Sequence, residues 1–120
     1  MPEYVRTASD ELFTMLLIER PEAIDNLDEI MRVPGIDMLQ VAPFDLSVIM
    51  GRERNHPEVQ AAVARIEEKV LPSGIPLGGA AFTPEDANRL LEKGYRGVFI
   101  GFDWLILQRA VAGLLEGIRL

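Results

Sequence analysis

The chain contains no cysteine and a single histidine, His56. The first absence excludes disulfides, thiolate metal sites and cysteine nucleophiles together, and fits a cytoplasmic protein. Long hydrophobic runs are also missing: the longest apolar stretches extend over about seven residues, against the roughly 20 that a membrane-spanning helix needs. The N-terminal stretch Met1-Pro2-Glu3-Tyr4-Val5-Arg6 lacks the basic-then-apolar order of a signal peptide. Positive charge is scarce, with 12 Lys and Arg against 19 Asp and Glu. The resulting net charge of −7 argues against nucleic acid as a partner, because phosphate binding needs clustered Lys and Arg. Neither a membrane nor a nucleic-acid partner is therefore expected. What remains, 120 residues that are 48% hydrophobic and 26% charged, is the composition of one globular domain spanning residues 1–120.

Two features stand out against that background. Leu16-Leu17-Ile18 runs into Glu19, and Met38-Leu39-Gln40-Val41-Ala42-Pro43-Phe44 runs into Asp45, 26 residues later. Each apolar run, bounded by Pro or Gly, reads as a buried strand, and helix-like sequence follows each one. Both acids thus fall where a strand hands over to a helix, the edge at which α/β sheets and barrels place their ligands.

The same alternation continues to the end of the chain. Residues 12–19 predict a first strand. Pro21 suits the first turn of a helix whose apolar positions Ile24, Leu27, Ile30 and Met31 recur at spacings of three and four, stopping near Pro34-Gly35. A second strand runs through Val41, with Asp45-Leu46-Ser47 opening a short turn or helix. Pro57 opens a helix with the stripe Val59, Ala62, Val63, Ile66 and Val70, ended by Pro72 and Gly74. A third strand spans Ile75 to Phe82, and its small Gly78-Gly79-Ala80-Ala81 run either packs closely or makes room for a ligand. Thr83 caps a helix with Pro84 at its first position and Gly94 past its end. A fourth strand, Gly97 to Phe102, precedes a helix capped by Asp103. That helix, with Trp104, Leu105, Ile106, Leu107, Val111, Leu114, Leu115 and Ile118, is apolar on more than one side and needs cover on two faces. Four strand-helix units without a hairpin signal predict an α/β fold with a parallel sheet and right-handed crossovers. A (β/α)₈ barrel needs eight such units, so the fold class expected is half of a TIM barrel.

The quoted residues resemble the HpcH/HpaI family of aldolases. Ile18-Glu19-Arg20-Pro21-Glu22-Ala23 is similar to the family's I-E-T-P-E-A pattern. Pro34-Gly35-Ile36-Asp37 and Ala42-Pro43-Phe44-Asp45-Leu46-Ser47, ending at Gly51, follow its P-G-x-D and G-P-x-D-L-S-x-x-x-G. His56-Pro57-Glu58-Val59 and Gly101-Phe102-Asp103 complete the order. The resemblance covers nearly the whole chain and implies the last four units of the family's barrel. It implies a metal-dependent carbon–carbon lyase that cleaves 4-hydroxy-2-oxo acids to pyruvate and an aldehyde. It assigns Glu19 and Asp45 as metal ligands, and backbone N–H groups at Phe44 and Asp45 as the hold on the substrate carboxylate, with the chain near Ala80 close by. The family's histidine-aspartate pair and substrate-orienting arginine belong to the first four units and have no counterpart among these residues. The chain is accordingly expected to be a fragment of a longer protein, a half-barrel that assembles with itself or with a complementary half-barrel, or a gene remnant.

Two carboxylates without histidine or cysteine make an oxygen-only site, suited to a divalent Mg²⁺, Mn²⁺ or Co²⁺. An ion held by only two protein ligands keeps positions open for a 2-oxo acid, whose carbonyl it would polarise and whose enolate it would stabilise when the C3–C4 bond breaks. No Schiff-base lysine is needed, and Lys69 and Lys93 occupy polar helix positions. Taken without the resemblance, Asp45 reads equally as a helix cap and Glu19 as a surface acid. His56, beside Pro57, reads as a cap or solvent residue, Asp103 as a cap, Asp37 as a local partner, and Trp104 to Leu107 as core or subunit contact. Three positions depart from the family pattern. Leu17 stands where many relatives have glutamine or methionine, Arg20 replaces threonine, and Ala42 replaces glycine before Pro43. Two functions compete: an aldolase-type lyase needing a complementary half, and a catalytically inactive assembly module whose open sheet edges drive association.

Overall fold

The computed structural model describes residues 7–116 and Ile118; the stretch Met1 to Arg6 read above for a signal peptide lies outside them. Four strands, β1 (Met15–Ile18), β2 (Met38–Val41), β3 (Leu77–Ala81) and β4 (Gly97–Ile100), form one sheet in the order β1-β2-β3-β4. Every neighbouring pair is parallel, with Ile18 opposite Val41, Gln40 opposite Gly78, and Ala81 opposite Ile100. The strands are shorter than the apolar runs that announce them. Leu12 and Phe13 are exposed ahead of β1, following a 3₁₀ turn at Ala8–Glu11.

Helices α1 (Pro21–Asp25), α2 (Leu27–Ile30), α3 (Pro43–Ile49), α4 (Pro57–Val70), α5 (Pro84–Glu92) and α6 (Asp103–Glu116) fill the connections. The single helix expected from Pro21 to near Pro34-Gly35 is interrupted at Asn26, whose side-chain Nδ2 donates to Glu22 O at 2.9 Å. Asparagine competes in this way for backbone groups and so breaks helices it sits inside. Proline occupies the start of α1, α3, α4 and α5, where its missing N–H costs nothing. Thr83 caps α5 as expected, its hydroxyl accepting from Asp86 N at 3.1 Å. His56 caps α4, its Nδ1 accepting from Glu58 N at 3.3 Å. Asp103 begins α6 as its first residue, and its carboxylate accepts from Trp104 N at 2.7 Å.

A sheet whose strands follow chain order, with crossovers of one hand, carries all its helices on one face. The side chains divide accordingly. Ile18, Leu39, Val41 and Leu77 point to the helices and join Ile24, Leu27, Leu46, Val59, Ile66 and Val70 in one core, each at most 2% exposed. Alternate residues point the other way, onto what would be a barrel interior, and there Leu17 is 48% and Phe99 44% exposed. The glycines of β3 are packing residues. A Cβ at Gly78 would meet Gln40 Oε1 at 2.5 Å, and one at Gly79 would meet the Tyr95 ring at 2.9 Å.

Ion pairs tie the connecting helices together: Lys69 Nζ to Asp28 Oδ2 at 2.6 Å, Arg65 Nη2 to Asp25 Oδ1 at 2.8 Å, and Lys93 Nζ to Glu67 Oε1 at 2.8 Å. The hydrogen bond from Lys69 lowers the pKa of the Asp28 carboxyl. Asp37, expected to pair locally, instead reaches across 23 residues: its Oδ2 accepts from Thr14 N at 2.7 Å, joining the entries of β1 and β2.

The last helix departs most from expectation. An apolar surface on several sides calls for cover, yet no described residue of α6 is buried, and Ile118, past its end, is 58% exposed. The radius of gyration, 18.0 Å, exceeds the ~14 Å of a compact 120-residue domain.

Candidate functional site at the carboxyl edge of the sheet

The carboxyl ends of β1 and β2 lie side by side because the two strands pair in register through Ile18 and Val41. One further hydrogen bond, Ala42 N to Ile18 O at 3.3 Å, continues the ladder past that pair. Glu19 is the next residue on one side, half-buried; on the other, Pro43 turns the chain into α3, so that Asp45 falls in its first turn and is exposed. The strand alternation explains why Glu19 can face the barrel-interior side: Ile18 points to the helices and its successor points the opposite way. Among the described residues, neither carboxylate has a side-chain hydrogen bond or ion-pair partner.

The backbone at this edge is equally open. The first hydrogen bond of α3 runs from Leu46 N to Ala42 O at 3.0 Å, so the N–H groups of Phe44 and Asp45 precede the helical ladder. Ser47 closes the turn by donating its hydroxyl to Phe44 O at 2.6 Å. Phe44 itself is 68% exposed. No cluster of three or more His, Cys, Asp or Glu side chains able to hold a metal occurs among the described residues. Glu19 and Asp45 each offer hard oxygen donors without a competing partner among the described residues, and that donor chemistry suits a divalent cation that takes its remaining ligands from water or substrate.

Ala80 is exposed on β3, the strand next to β2, on the barrel-interior side with Phe99. Arg20 is exposed, and His56 and Asp37 are committed to the capping and bridging bonds above. A cavity of about 420 Å³ lies on the helix side, reached by Val41, Pro43, Gly79, Ala80 and Phe82, with Arg54, Arg89 and Lys93 among its walls. Neither Glu19 nor Asp45 lines it. The geometry of strand ends, and not this cavity, therefore locates the candidate site.

Sequence reasoning overlooked one residue. Gln40 is only 7% exposed on the barrel-interior face, between Leu17 and Gly78 in register, and its Oε1 is buried without a hydrogen-bond partner. The available signal was a lone carboxamide inside the run Met38-Leu39-Gln40-Val41. An orphaned buried acceptor costs about 1–3 kcal/mol and marks a face awaiting a donor.

Residues 1–110 match the HpcH/HpaI aldolase/citrate lyase family. A 4-hydroxy-2-oxo-heptane-1,7-dioate aldolase of Escherichia coli is 37% identical over 116 residues, which are 95% of this chain and 44% of that protein. Among solved structures, a HpcH/HpaI aldolase/citrate lyase family protein from Burkholderia cenocepacia J2315 superposes with a TM-score of 0.85 at 29% identity, over 95% of this chain and 45% of that one. The HpcH/HpaI aldolase from Desulfitobacterium hafniense DCB-2 does so with a TM-score of 0.81 at 25% identity, over 96% and 46%. The chain thus spans about half the length of the proteins it matches.

Proposed function

The chain belongs to the HpcH/HpaI aldolase/citrate lyase family, and from that premise we propose that it carries the metal-binding half of an aldolase site. The reaction is the cleavage of a 4-hydroxy-2-oxo acid to pyruvate, or a close analogue, and an aldehyde. The observation that carries this reading is the pair of unpartnered carboxylates, Glu19 and Asp45, at the joined carboxyl ends of β1 and β2. Oxygen-only donors select a hard cation, Mg²⁺, Mn²⁺ or Co²⁺. When bound, such an ion supplies Lewis-acid polarisation of the oxo acid's carbonyl. The chain's own contribution is placement: the free N–H groups of Phe44 and Asp45 hold the substrate carboxylate at the first turn of α3, and the small Ala80 leaves room beside it. Proton transfer requires a group within hydrogen-bond reach of the substrate, and His56 is committed to its cap. A complementary half-barrel therefore supplies the proton-transfer residues and covers the open face of Leu17, Gln40 and Phe99.

Calorimetric titration with Mn²⁺, followed by an assay of pyruvate release from a 4-hydroxy-2-oxo acid, tests the reading. Glu19→Ala and Asp45→Ala each lower Mn²⁺ affinity more than about 10-fold, since even residues that only orient metal ligands contribute 10–100-fold. Unchanged affinity in both variants refutes the metal site. A second reading, an inactive assembly module, draws on the half-exposed apolar face of the sheet; Mn²⁺ binding without turnover, even when a complementary half-barrel is added, would favour it.

A further inference from the structure

Gln40 has the side chain of a binding residue and the surroundings of a core residue. It is 7% exposed, and its Oε1 is buried without a hydrogen-bond partner. Its Nε2 is not enclosed in that way and also has no partner among the described residues. A glutamine so placed costs stability that a methionine, of similar length and without N–H or carbonyl groups, would not. Such a cost is characteristic of positions that serve a ligand, where local rules are broken for function.

Strand alternation settles which face Gln40 occupies. In β2, Leu39 and Val41 are buried among the helices, so Met38 and Gln40 point to the barrel-interior side. Gln40 pairs in register with Leu17, and Glu19 follows Leu17 by two residues on that same side. From strand spacing and rise, the diagonal from Gln40 to Glu19 is about 8 Å between Cα atoms, a separation that long side chains on one face span. Gln40 thus forms a floor beneath the strand ends that carry Glu19 and Asp45. It is also the one polar side chain that the four strands present there, since the other residues of that face are Met15, Leu17, Met38, Ala80, Phe99 and two glycines.

Those glycines orient the carboxamide. A Cβ at Gly78 would come within 2.5 Å of Gln40 Oε1 and 2.9 Å of Met38 Sδ, so the missing side chain leaves the notch in which Oε1 sits. Gly97 leaves matching room for the thioether end, with Met38 Cε 2.7 Å from where its Cβ would stand. With Oε1 turned to Gly78, the N–H groups of Nε2 are left for the open interior.

We propose that Gln40 is a substrate-binding residue whose Nε2 donates to the oxo oxygen of the 2-oxo acid. This role rests on the aldolase reading and adds to it the group that recognises the oxo function. The substrate carboxylate, held at the first turn of α3, lies at the edge of the sheet. The oxo oxygen, on the adjacent carbon, is the next polar atom inward, and Gln40 is the strand side chain able to donate to it.

Calorimetric titration of the Mn²⁺-loaded chain with pyruvate, and with propionate, which has the same carbon skeleton without the oxo oxygen, tests the role. The wild-type chain binds pyruvate more tightly than propionate. Gln40→Met lowers pyruvate affinity about 10-fold, the worth of one hydrogen bond to a polarised oxygen, and leaves the affinities for propionate and Mn²⁺ unchanged. Its urea midpoint stays level or rises, because the substitution removes an unpartnered buried oxygen. Unchanged pyruvate affinity in Gln40→Met overturns the proposal. So does a lowered urea midpoint with equal losses for pyruvate and propionate, the pattern of a residue that only supports the fold. A wild-type chain that binds Mn²⁺ without telling pyruvate from propionate overturns it too, while the metal site stands. A wild-type chain that binds no Mn²⁺ refutes the metal site and the role of Gln40 with it, so the two failures are read from different titrations.

Discussion

The region of β1, β2 and α4 and the region of β4 and α6 are built from the same residue types and end in opposite states. In the first, Ile18, Leu39, Leu46, Val59 and Ile66 are at most 1% exposed. In the second, Ile100, Leu107 and Leu114 are 60%, 65% and 74% exposed. The difference lies in what the connecting helix does. α4 lies over β2 and ties back through Lys69 to Asp28 and Arg65 to Asp25, whereas α6 is held at the sheet edge by Phe82, Phe102 and Arg109. Apolar content alone does not make a core; the core forms where the chain geometry brings two apolar faces together.

That contrast can be broken by substitution. Leu39→Ala, in the closed region, is expected to cost about 2–5 kcal/mol, the range for deleting a buried leucine side chain, and to do so at every protein concentration. Leu114→Ala, in the open region, is expected to change the stability of a single chain by no more than about 0.5 kcal/mol. Urea unfolding at several protein concentrations separates the two.

Gly79→Ala sharpens the same boundary, because β3 is the last strand whose helix-side face is fully closed. A methyl group there would press on the Tyr95 ring at 2.9 Å and on Leu90 at 3.0 Å, and the expected loss is about 1–3 kcal/mol. Thr83→Ala removes the cap of α5, the helix that stands between the two regions, at a cost of about 1 kcal/mol. The smallest effect is one of pH. Tyr95 is 3% exposed and donates its hydroxyl to Glu67 Oε1 at 2.9 Å. Burial raises its pKa above the ordinary tyrosine value, and the Glu67 carboxylate raises it further. Above a pH of about 10 the unfolded chain releases this proton while the folded chain keeps it. The folded state then binds more protons, so its stability is complete below that pH and declines as pH rises through it. Tyr95→Phe should flatten this alkaline decline, as read from urea midpoints on both sides of a pH of about 10.

Much of this architecture is legible in the residues themselves, for local reasons. Proline at the start of four helices, threonine at position 83 and glycine at positions 35, 74 and 94, all with φ between +84° and +101°, mark boundaries wherever they occur in a chain. The two apolar runs ending in Glu19 and Asp45 placed both carboxylates at strand exits, where they are found. Less legible were the interruption at Asn26, the bond from Thr14 to Asp37 across 23 residues, and the orphaned Gln40 Oε1. Each depends on a partner distant in sequence, or on whether a side chain or the backbone wins a hydrogen bond.

From residue order alone, this protein's four parallel strands, their alternation with helices and the position of two acids at one edge follow, because periodicity and capping act within a few residues. Only the tertiary structure decided which faces meet. It sends α4 over β2 and α6 away from β4, and it leaves one side of the sheet half-open. Docking depends on complementary surfaces far apart in the chain, and an amphipathic pattern records that a face wants cover without recording what covers it.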